Sequence, residues 1–269
     1  MKILFLGDVV GRAGRQAISE ELPKIREELK PDFVIVNGEN ASGGMGLSAA
    51  HAQNLLDAGA DCVTLGDHAF DQKDIIPFLE KEPRIIRPMN IAKTAPGRGH
   101  GVFKAANGEK ILVAQALGQV FMRAPFADPF SAVDKLLETH KLGAQVQASF
   151  LDFHAEVTSE KMAMGIWLDG RISGVCGTHT HVPTADTMIF PNGTAFQSDA
   201  GMTGCYHSVI GMNAEEPLRR FITGMSKGRF EPATGPVTLS GLWIETGEGG
   251  KAKVAIPFRR GGHLSQSAP

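Results

Sequence analysis

Short apolar runs alternate with longer polar or charged segments through the first two thirds of the chain. The runs that predict strands cover residues 2–6, 33–36, 62–65, 85–86, 148–153 and 174–176. Segments with helical composition or periodicity lie between them, at residues 14–29, 48–57, 71–80, 129–140 and 158–168. Pro23 predicts a kink in the first of these, or two shorter helices. Strands that alternate with helices indicate right-handed βαβ units and a mostly parallel sheet.

Two other parts of the sequence predict antiparallel pairs of strands. Asn107-Gly108 separates apolar residues 101–103 from 111–113 and predicts a hairpin. Residues 237–246 and 251–258 read as two strands joined across a glycine-rich turn. No repeat, linker or low-complexity stretch divides the sequence, so a single domain over residues 1–269 is predicted.

Composition narrows the class of protein. The 269 residues are 42% hydrophobic and 21% charged, which is typical of a globular protein. The net charge of -2 argues against a general nucleic-acid binder and is compatible with a small anionic substrate. Three widely spaced cysteines form no CxxC pair, so a disulfide framework is not expected and the cytoplasm is the expected compartment. The sequence predicts no signal peptide and no membrane partner.

Polar side chains with metal-binding or proton-transfer chemistry follow five of the predicted strands. In chain order they are Asp8, Glu39 with Asn40, Asp67 with His68, His154, and His179 with His181. The functional crevice of an open α/β sheet lies beyond the carboxyl ends of its strands, so we expect these groups to meet there. A single such residue is weak support, because a lone strand-end histidine is as often a core residue. Five successive strand ends favour a site.

The chemistry of this set is that of oxygen and imidazole ligands. Such ligands suit iron, manganese or zinc. A shared carboxylate such as Glu39 could bridge two ions, and two cations about 3.5–4 Å apart would clamp a phosphoryl group. The glycine-rich residues 7–14 also invite a dinucleotide-binding interpretation, but they do not form G-x-G-x-x-G. Residues 42–46 are either a loop over the cleft or a plain connector. Asp199 and Thr203 either line the cleft or turn the chain.

Taken together and in order, these motifs resemble those of calcineurin-like metallophosphoesterases, and more narrowly the bacterial YmdB-like subfamily. The matching motifs are Gly7-Asp8, Gly38-Glu39-Asn40, Gly66-Asp67-His68, Asp152-Phe153-His154-Ala155-Glu156 and Gly177-Thr178-His179-Thr180-His181. The resemblance implies a four-layer α/β/β/α sandwich with mixed sheets and a di-metal site that holds iron or manganese, with zinc as an alternative. It also implies hydrolysis of small phosphodiesters, 2′,3′-cyclic nucleotides among them, and is compatible with a homo-oligomer.

The resemblance further implies a role for each matched residue. Asp8, Glu39, Asn40 and His181 would bind one metal, and Glu39 would bridge to a second one bound by Asp67, His154 and His179. A hydroxide that bridges the metals would attack phosphorus, and His68 would be the general acid that protonates the leaving oxygen.

One position departs from the family motif, which usually reads Gly-Asn-His where this chain reads Gly66-Asp67-His68. Asp67 has the reach of asparagine but adds a negative charge, which could weaken Lewis acidity, change the preferred metal or tighten metal binding. An alternative function therefore stands beside the phosphodiesterase. The chain could be a metal-bound regulatory or binding protein that keeps the fold with little turnover.

Overall fold

Two β-sheets form the centre of the fold, in a computed structural model that describes residues 1–122 and 126–269. In chain order the strands are β1 (Lys2–Leu6), β2 (Phe33–Asn37), β3 (Cys62–Thr64), β4 (Ile85–Ile86), β5 (His100–Lys104), β6 (Lys110–Leu117), β7 (Ala148–His154), β8 (Gly174–Thr178), β9 (Met188–Ile189), β10 (Ala195–Gln197), β11 (Gly204–Cys205), β12 (Val237–Thr246) and β13 (Ala252–Arg260). The first sheet has the order β11-β12-β1-β2-β3-β4, with β13 paired to β12. The second has the order β5-β6-β7-β8-β10-β9.

Each sheet combines parallel and antiparallel strands. Strands β1 to β4 are parallel, and β12 joins β1 in antiparallel register. In the second sheet, β6, β7, β8 and β10 are parallel, while β5 and β9 are antiparallel to their neighbours. The carboxyl ends of the parallel strands therefore gather at one edge of each sheet.

Helices cover the outer faces of both sheets. On the first sheet they are α1 (Gly11–Leu29), α2 (Ala49–Asp57) and α3 (Ile75–Lys81), and on the second they are α4 (Pro129–Thr139) and α5 (Thr158–Trp167). A further helix, α6 (Glu215–Thr223), buries only Pro217. Leu4 and Leu6 share an apolar cluster with residues of α1, α2 and α3, whereas Ile3 and Phe5 belong to the cluster between the sheets. The Phe5 and Phe150 rings lie 4.9 Å apart, one from each sheet. Another cluster packs α4 and α5 on the second sheet.

The two stacked sheets, with helices on both outer faces, form the four-layer α/β/β/α sandwich with mixed sheets that the family resemblance implies. The expectation of one mostly parallel sheet is wrong, because the strands form two separate mixed sheets. Helix α1 begins at Gly11 and continues past Pro23, so two shorter helices do not form. Within the described residues, no helix is long and apolar enough to span a bilayer.

Candidate metal centre

The face between the sheets changes from apolar to polar toward the carboxyl ends of the strands. On β2, Phe33 and Ile35 lie in the apolar cluster between the sheets. Because side chains alternate along a strand, Asn37 takes the next position on that face. Glu39 follows two residues later and is 1% exposed. The Glu39 carboxylate therefore lies at the edge of the sheet, next to the apolar core.

Four side chains from four different strand ends converge there: Glu39, Asp67, His154 and His179. One ligand atom from each lies within 4.8 Å of all the others. His154 Nε2 is 3.2 Å from Glu39 Oε1 and 3.1 Å from Asp67 Oδ1. His179 Nδ1 is 3.1 Å from His154 Nε2. Gly66 makes this approach possible, because a Cβ atom at that position would overlap the Glu39 carboxylate.

A second group adjoins the first and consists of Asp8, Asn40 and His181. His181 Nε2 is 3.2 Å from Asn40 Oδ1 and 3.9 Å from Asp8 Oδ1. All three side chains are buried. Asp8 Oδ2 accepts a long hydrogen bond of 3.4 Å from the His179 backbone N–H, which joins the two groups.

Each of the three imidazoles uses one ring nitrogen for orientation and turns the other toward the cluster. His154 Nδ1 is 2.8 Å from Thr178 Oγ1, and His181 Nδ1 is 2.8 Å from the Ile210 carbonyl oxygen. His179 Nε2 is 3.1 Å from Glu156 Oε2. Such outer partners fix the ring orientation and the tautomer of metal-binding histidines.

The Thr178 hydroxyl connects His154 to a buried carboxylate. It donates a hydrogen bond of 2.6 Å to Asp152 Oδ1, which leaves its oxygen to accept from His154 Nδ1–H. Asp152 Oδ2 accepts three further bonds, from Asn37 Nδ2, Thr64 Oγ1 and Gln115 Nε2. Asn37 and Thr64 belong to the first sheet and Asp152 to the second. The network therefore joins the sheets directly beneath the site.

His68 lies beside the cluster and makes different contacts. Its backbone N–H donates to Glu39 Oε2 at 3.3 Å, while its Nδ1 is 2.7 Å from Asp71 Oδ2. The ring is partly exposed, at 20% of its side-chain surface. Asp71 therefore orients the ring and leaves Nε2 as the nitrogen available to a substrate.

Burial and mutual charge shift the pKa values of the clustered groups strongly. Burial raises the pKa of Asp8 to about 7, although His181 and His154 pull it down. Burial alone would lower the pKa of His154, but the Glu39 and Asp67 carboxylates raise it well above its ordinary value. Burial and the neighbouring His154 lower the pKa of His179 to about 4. Without a cation, a proton on His154 holds the carboxylates together.

The residues fit metal ions on three counts. Asp8 Oδ1 is buried and has no hydrogen-bond partner among the residues that the structure describes, which is costly unless a cation satisfies it. Two ligands bound to one ion at about 2.0–2.2 Å lie about 3 Å apart, and several pairs of the clustered atoms are separated by 3.1 or 3.2 Å. The donors are carboxylate and amide oxygens with imidazole nitrogens, as iron, manganese and zinc prefer.

The structure brings all seven predicted metal ligands to one place, with His68 beside them. Four further residues that the sequence analysis gave no role also contact the site or its supports: Asp71, Asp152, Glu156 and Thr178. Asp71 follows His68 by three residues, a spacing that could have indicated the pair. The bonds that Asp152 receives from Asn37 and Thr64 span 115 and 88 positions and carry no local signal.

Comparison with known proteins identifies relatives of this chain. The sequence profile of the YmdB-like protein family matches residues 4–257. A relative from Bacillus subtilis, named 2′,3′-cyclic-nucleotide 2′-phosphodiesterase, is 44% identical over 95% of each chain. A Thermus thermophilus structure, described only as a hypothetical protein, has a TM-score of 0.90 at 42% identity and covers 98% of this chain and 100% of its own. A Mycoplasma pneumoniae structure described as a novel phosphatase has a TM-score of 0.88 at 34% identity, covering 97% and 93%.

Metal affinity is predicted to be lower at about pH 6 than at about pH 8. In the metal-free protein the pKa values of Asp8 and His154 are raised, so both groups must lose protons for an ion to bind. Calorimetric titration with Mn²⁺ at about pH 6 and about pH 8, in buffers of different ionisation enthalpy, measures the affinity and the protons released.

The His140→Ala variant is the control, because the His140 ring packs against His100 rather than in the cluster. It should show the pH dependence of the wild type. Equal affinity at both pH values with no proton release would contradict the geometry described above.

Proposed function

The chain belongs to the YmdB-like protein family, and on that premise we propose that it is a metal-dependent phosphodiesterase acting on small phosphodiesters, with 2′,3′-cyclic nucleotides as the substrate class. The observation that carries the proposal is the convergence of Glu39, Asp67, His154 and His179 within 4.8 Å of one another. The Bacillus subtilis relative, which carries this activity in its name, supports the substrate class.

Two metal ions would occupy the site. Asp8, Asn40 and His181 would bind one ion, Asp67, His154 and His179 the other, and Glu39 would bridge them. When bound, such a pair polarises the phosphoryl group and supplies hydroxide at neutral pH. The ligand types favour iron or manganese, with zinc as an alternative. Asp67 adds negative charge in place of the amide that is usual in the family, and its carboxylate also accepts a hydrogen bond from His154.

The protein's own groups would handle the proton of the leaving oxygen. Cleavage of the 2′ ester bond of a 2′,3′-cyclic nucleotide breaks the P–O2′ bond and leaves a 3′-monophosphate. The departing O2′ needs a proton, because an alkoxide is a poor leaving group. His68 Nε2 would donate it, with the ring oriented by the 2.7 Å contact from Nδ1 to Asp71. Partial exposure of His68 would let a substrate reach that nitrogen.

Hydrolysis of 2′,3′-cyclic AMP by Mn²⁺-loaded protein tests the proposal. We expect turnover well above the rate of Mn²⁺ alone, with 3′-AMP as the product, and hydrolysis of bis-p-nitrophenyl phosphate as well. Glu39→Gln removes the bridging charge and should lower both rates at least about 100-fold. Glu138→Gln, an exposed residue of α4, is the matched control and should retain the wild-type rate.

Metal binding without turnover of either substrate would contradict the enzyme proposal. That result would favour the alternative, a metal-bound regulatory or binding protein of the same fold.

His68→Ala is predicted to retain both metals and to lose rate according to the leaving group. A positioned general acid contributes about 10²–10⁴-fold, so kcat for the cyclic nucleotide should fall by that factor. The loss should be much smaller for bis-p-nitrophenyl phosphate, since p-nitrophenolate leaves without a proton. Steady-state kinetics on both substrates, together with elemental analysis, measures the difference.

Asp71→Asn should shift the rates in the same direction but less, because the ring keeps its proton and loses part of its orientation. His140→Ala should match the wild type on both substrates. Equal losses on the two substrates with intact metal content would exclude the general-acid role, and loss of one metal would make His68 a ligand.

A further inference from the structure

A buried ion pair lies behind the metal centre, between α5 and the segment that follows β10. Lys161 Nζ is 2.7 Å from Asp199 Oδ2, and both side chains are 1% exposed. Burying two charges costs solvation that their attraction often fails to recover, so such a pair is a poor device for stability alone. The other contacts of the pair indicate what else it does.

Asp199 bonds to the turn that carries two predicted metal ligands. Its Oδ2 accepts hydrogen bonds from the Thr180 hydroxyl at 2.7 Å and the Thr180 backbone N–H at 3.2 Å. Its Oδ1 accepts from the Gly201 backbone N–H at 2.8 Å. One carboxylate therefore fastens the turn through both the backbone and the side chain of Thr180.

The fastened turn has a backbone that L-residues rarely adopt. His179 has a φ of 99° and His181 a φ of 66°, so the residues on both sides of Thr180 are in the positive-φ region. Such conformations persist in non-glycine residues only when the surroundings enforce them. The bonds from Asp199 to Thr180 lie at the centre of this strained segment and supply that enforcement.

Because of this backbone conformation, the side chains of His179 and His181 enter different halves of the site. His179 Nδ1 lies 3.1 Å from His154 Nε2 in one group. His181 Nε2 lies 3.2 Å from Asn40 Oδ1 in the other. A relaxed turn would redirect at least one of the two rings.

Two features of its surroundings explain why a lysine occupies position 161. Its aliphatic stem passes over Gly177 of β8, where an added Cβ would come within 2.7 Å of Lys161 Cδ. Its charge neutralises Asp199, which would otherwise be an uncompensated buried carboxylate near Asp8 and the cluster. The carboxylate can then hold the turn without competing as a ligand.

We propose that Asp199, paired with Lys161, is a positioning residue that clamps the His179–Thr180–His181 turn so that the two imidazoles enter separate halves of the metal centre. The inference rests on the proposed metal-dependent function, and it goes beyond it by assigning a role to groups that would touch neither metal nor substrate.

Thr180→Val and Thr180→Ser test the clamp directly. Valine keeps the shape and leaves the ion pair intact but removes the hydroxyl, so Mn²⁺ affinity should fall about 10–100-fold, as is usual when an outer partner of a ligand is lost. Serine restores the hydroxyl and should recover most of that affinity. Thr139→Val, which removes a 3.0 Å bond to the Leu136 carbonyl oxygen in α4, away from the turn, is the matched control and should bind as the wild type does.

The double variant Lys161→Met with Asp199→Leu removes both charges and keeps apolar volume. We expect it to fold, as circular dichroism and thermal melting would show, and to bind Mn²⁺ more weakly than the wild type. The visible absorption spectrum of its Co²⁺-loaded form should differ from that of the wild type, because the ligand geometry changes. If the double variant fails to fold, the Thr180 pair decides the question.

The possible results distinguish failure of the proposed clamp from failure of the proposed function. A wild-type protein that binds Mn²⁺ and hydrolyses phosphodiesters, with a Thr180→Val variant of equal Mn²⁺ affinity, would overturn the clamp alone. A lower melting temperature of Thr180→Val without any change in affinity would also overturn it, because that is a purely structural effect. Absence of metal binding and of hydrolysis in the wild type would overturn the proposed function instead.

Discussion

The carboxylate of Asp152 is the group on which the rest of the site depends. It is completely buried and accepts four hydrogen bonds, from Asn37 and Thr64 of the first sheet and from Gln115 and Thr178 of its own sheet. Burial raises the pKa of Asp152, while the charge of His154 and the donated hydrogen bonds offset part of that rise. A buried carboxylate without such donors would be costly, so the sheets must stand at the separation and register that satisfy it. The same geometry sets the tautomer of His154 through Thr178.

The sandwich can bury Asp152 with its donors because the side chains between the sheets change from apolar to polar toward the carboxyl ends of the strands. Aromatic and aliphatic side chains such as Phe5 and Phe150 fill the middle of the space between the sheets, and their packing fixes the layer distance. Buried polar groups come next, and the predicted ligands come last. The turn at His179 and His181, where both residues have a positive φ, lies at the end of that series. The rigid apolar core below therefore holds a polar edge whose carboxylates could not otherwise stay together.

Alternation of short apolar runs with helical segments predicted the strands and most helices, and the polar residues after those strands predicted the ligand set. The sequence did not predict α6, a short helix in which only Pro217 is buried and Phe221 and Ile222 are exposed, so its apolar residues mark no core-facing side. Nor did it predict β9, β10 and β11, which have only two or three residues each. The supporting roles of Asp152 and Asp199 were not predicted, because their main partners are remote in sequence. Asn37 and Thr64 reach Asp152 only when the two sheets pack, and Lys161 reaches Asp199 only when α5 packs on the second sheet. Local patterns indicate which residues reach an edge, whereas tertiary packing decides what holds them there.

The proposed function requires this polar edge to be a pre-formed centre for two metal ions. Anomalous diffraction from crystals of Mn²⁺-loaded protein, recorded at the manganese absorption edge, tests it most directly. We expect two peaks about 3.5–4 Å apart, one beside Asp67, His154 and His179 and one beside Asp8, Asn40 and His181, with Glu39 between them. We also expect the strand ends to keep the backbone positions described above. A single peak, or metal bound only outside this cluster, would show that the edge is not a two-metal centre.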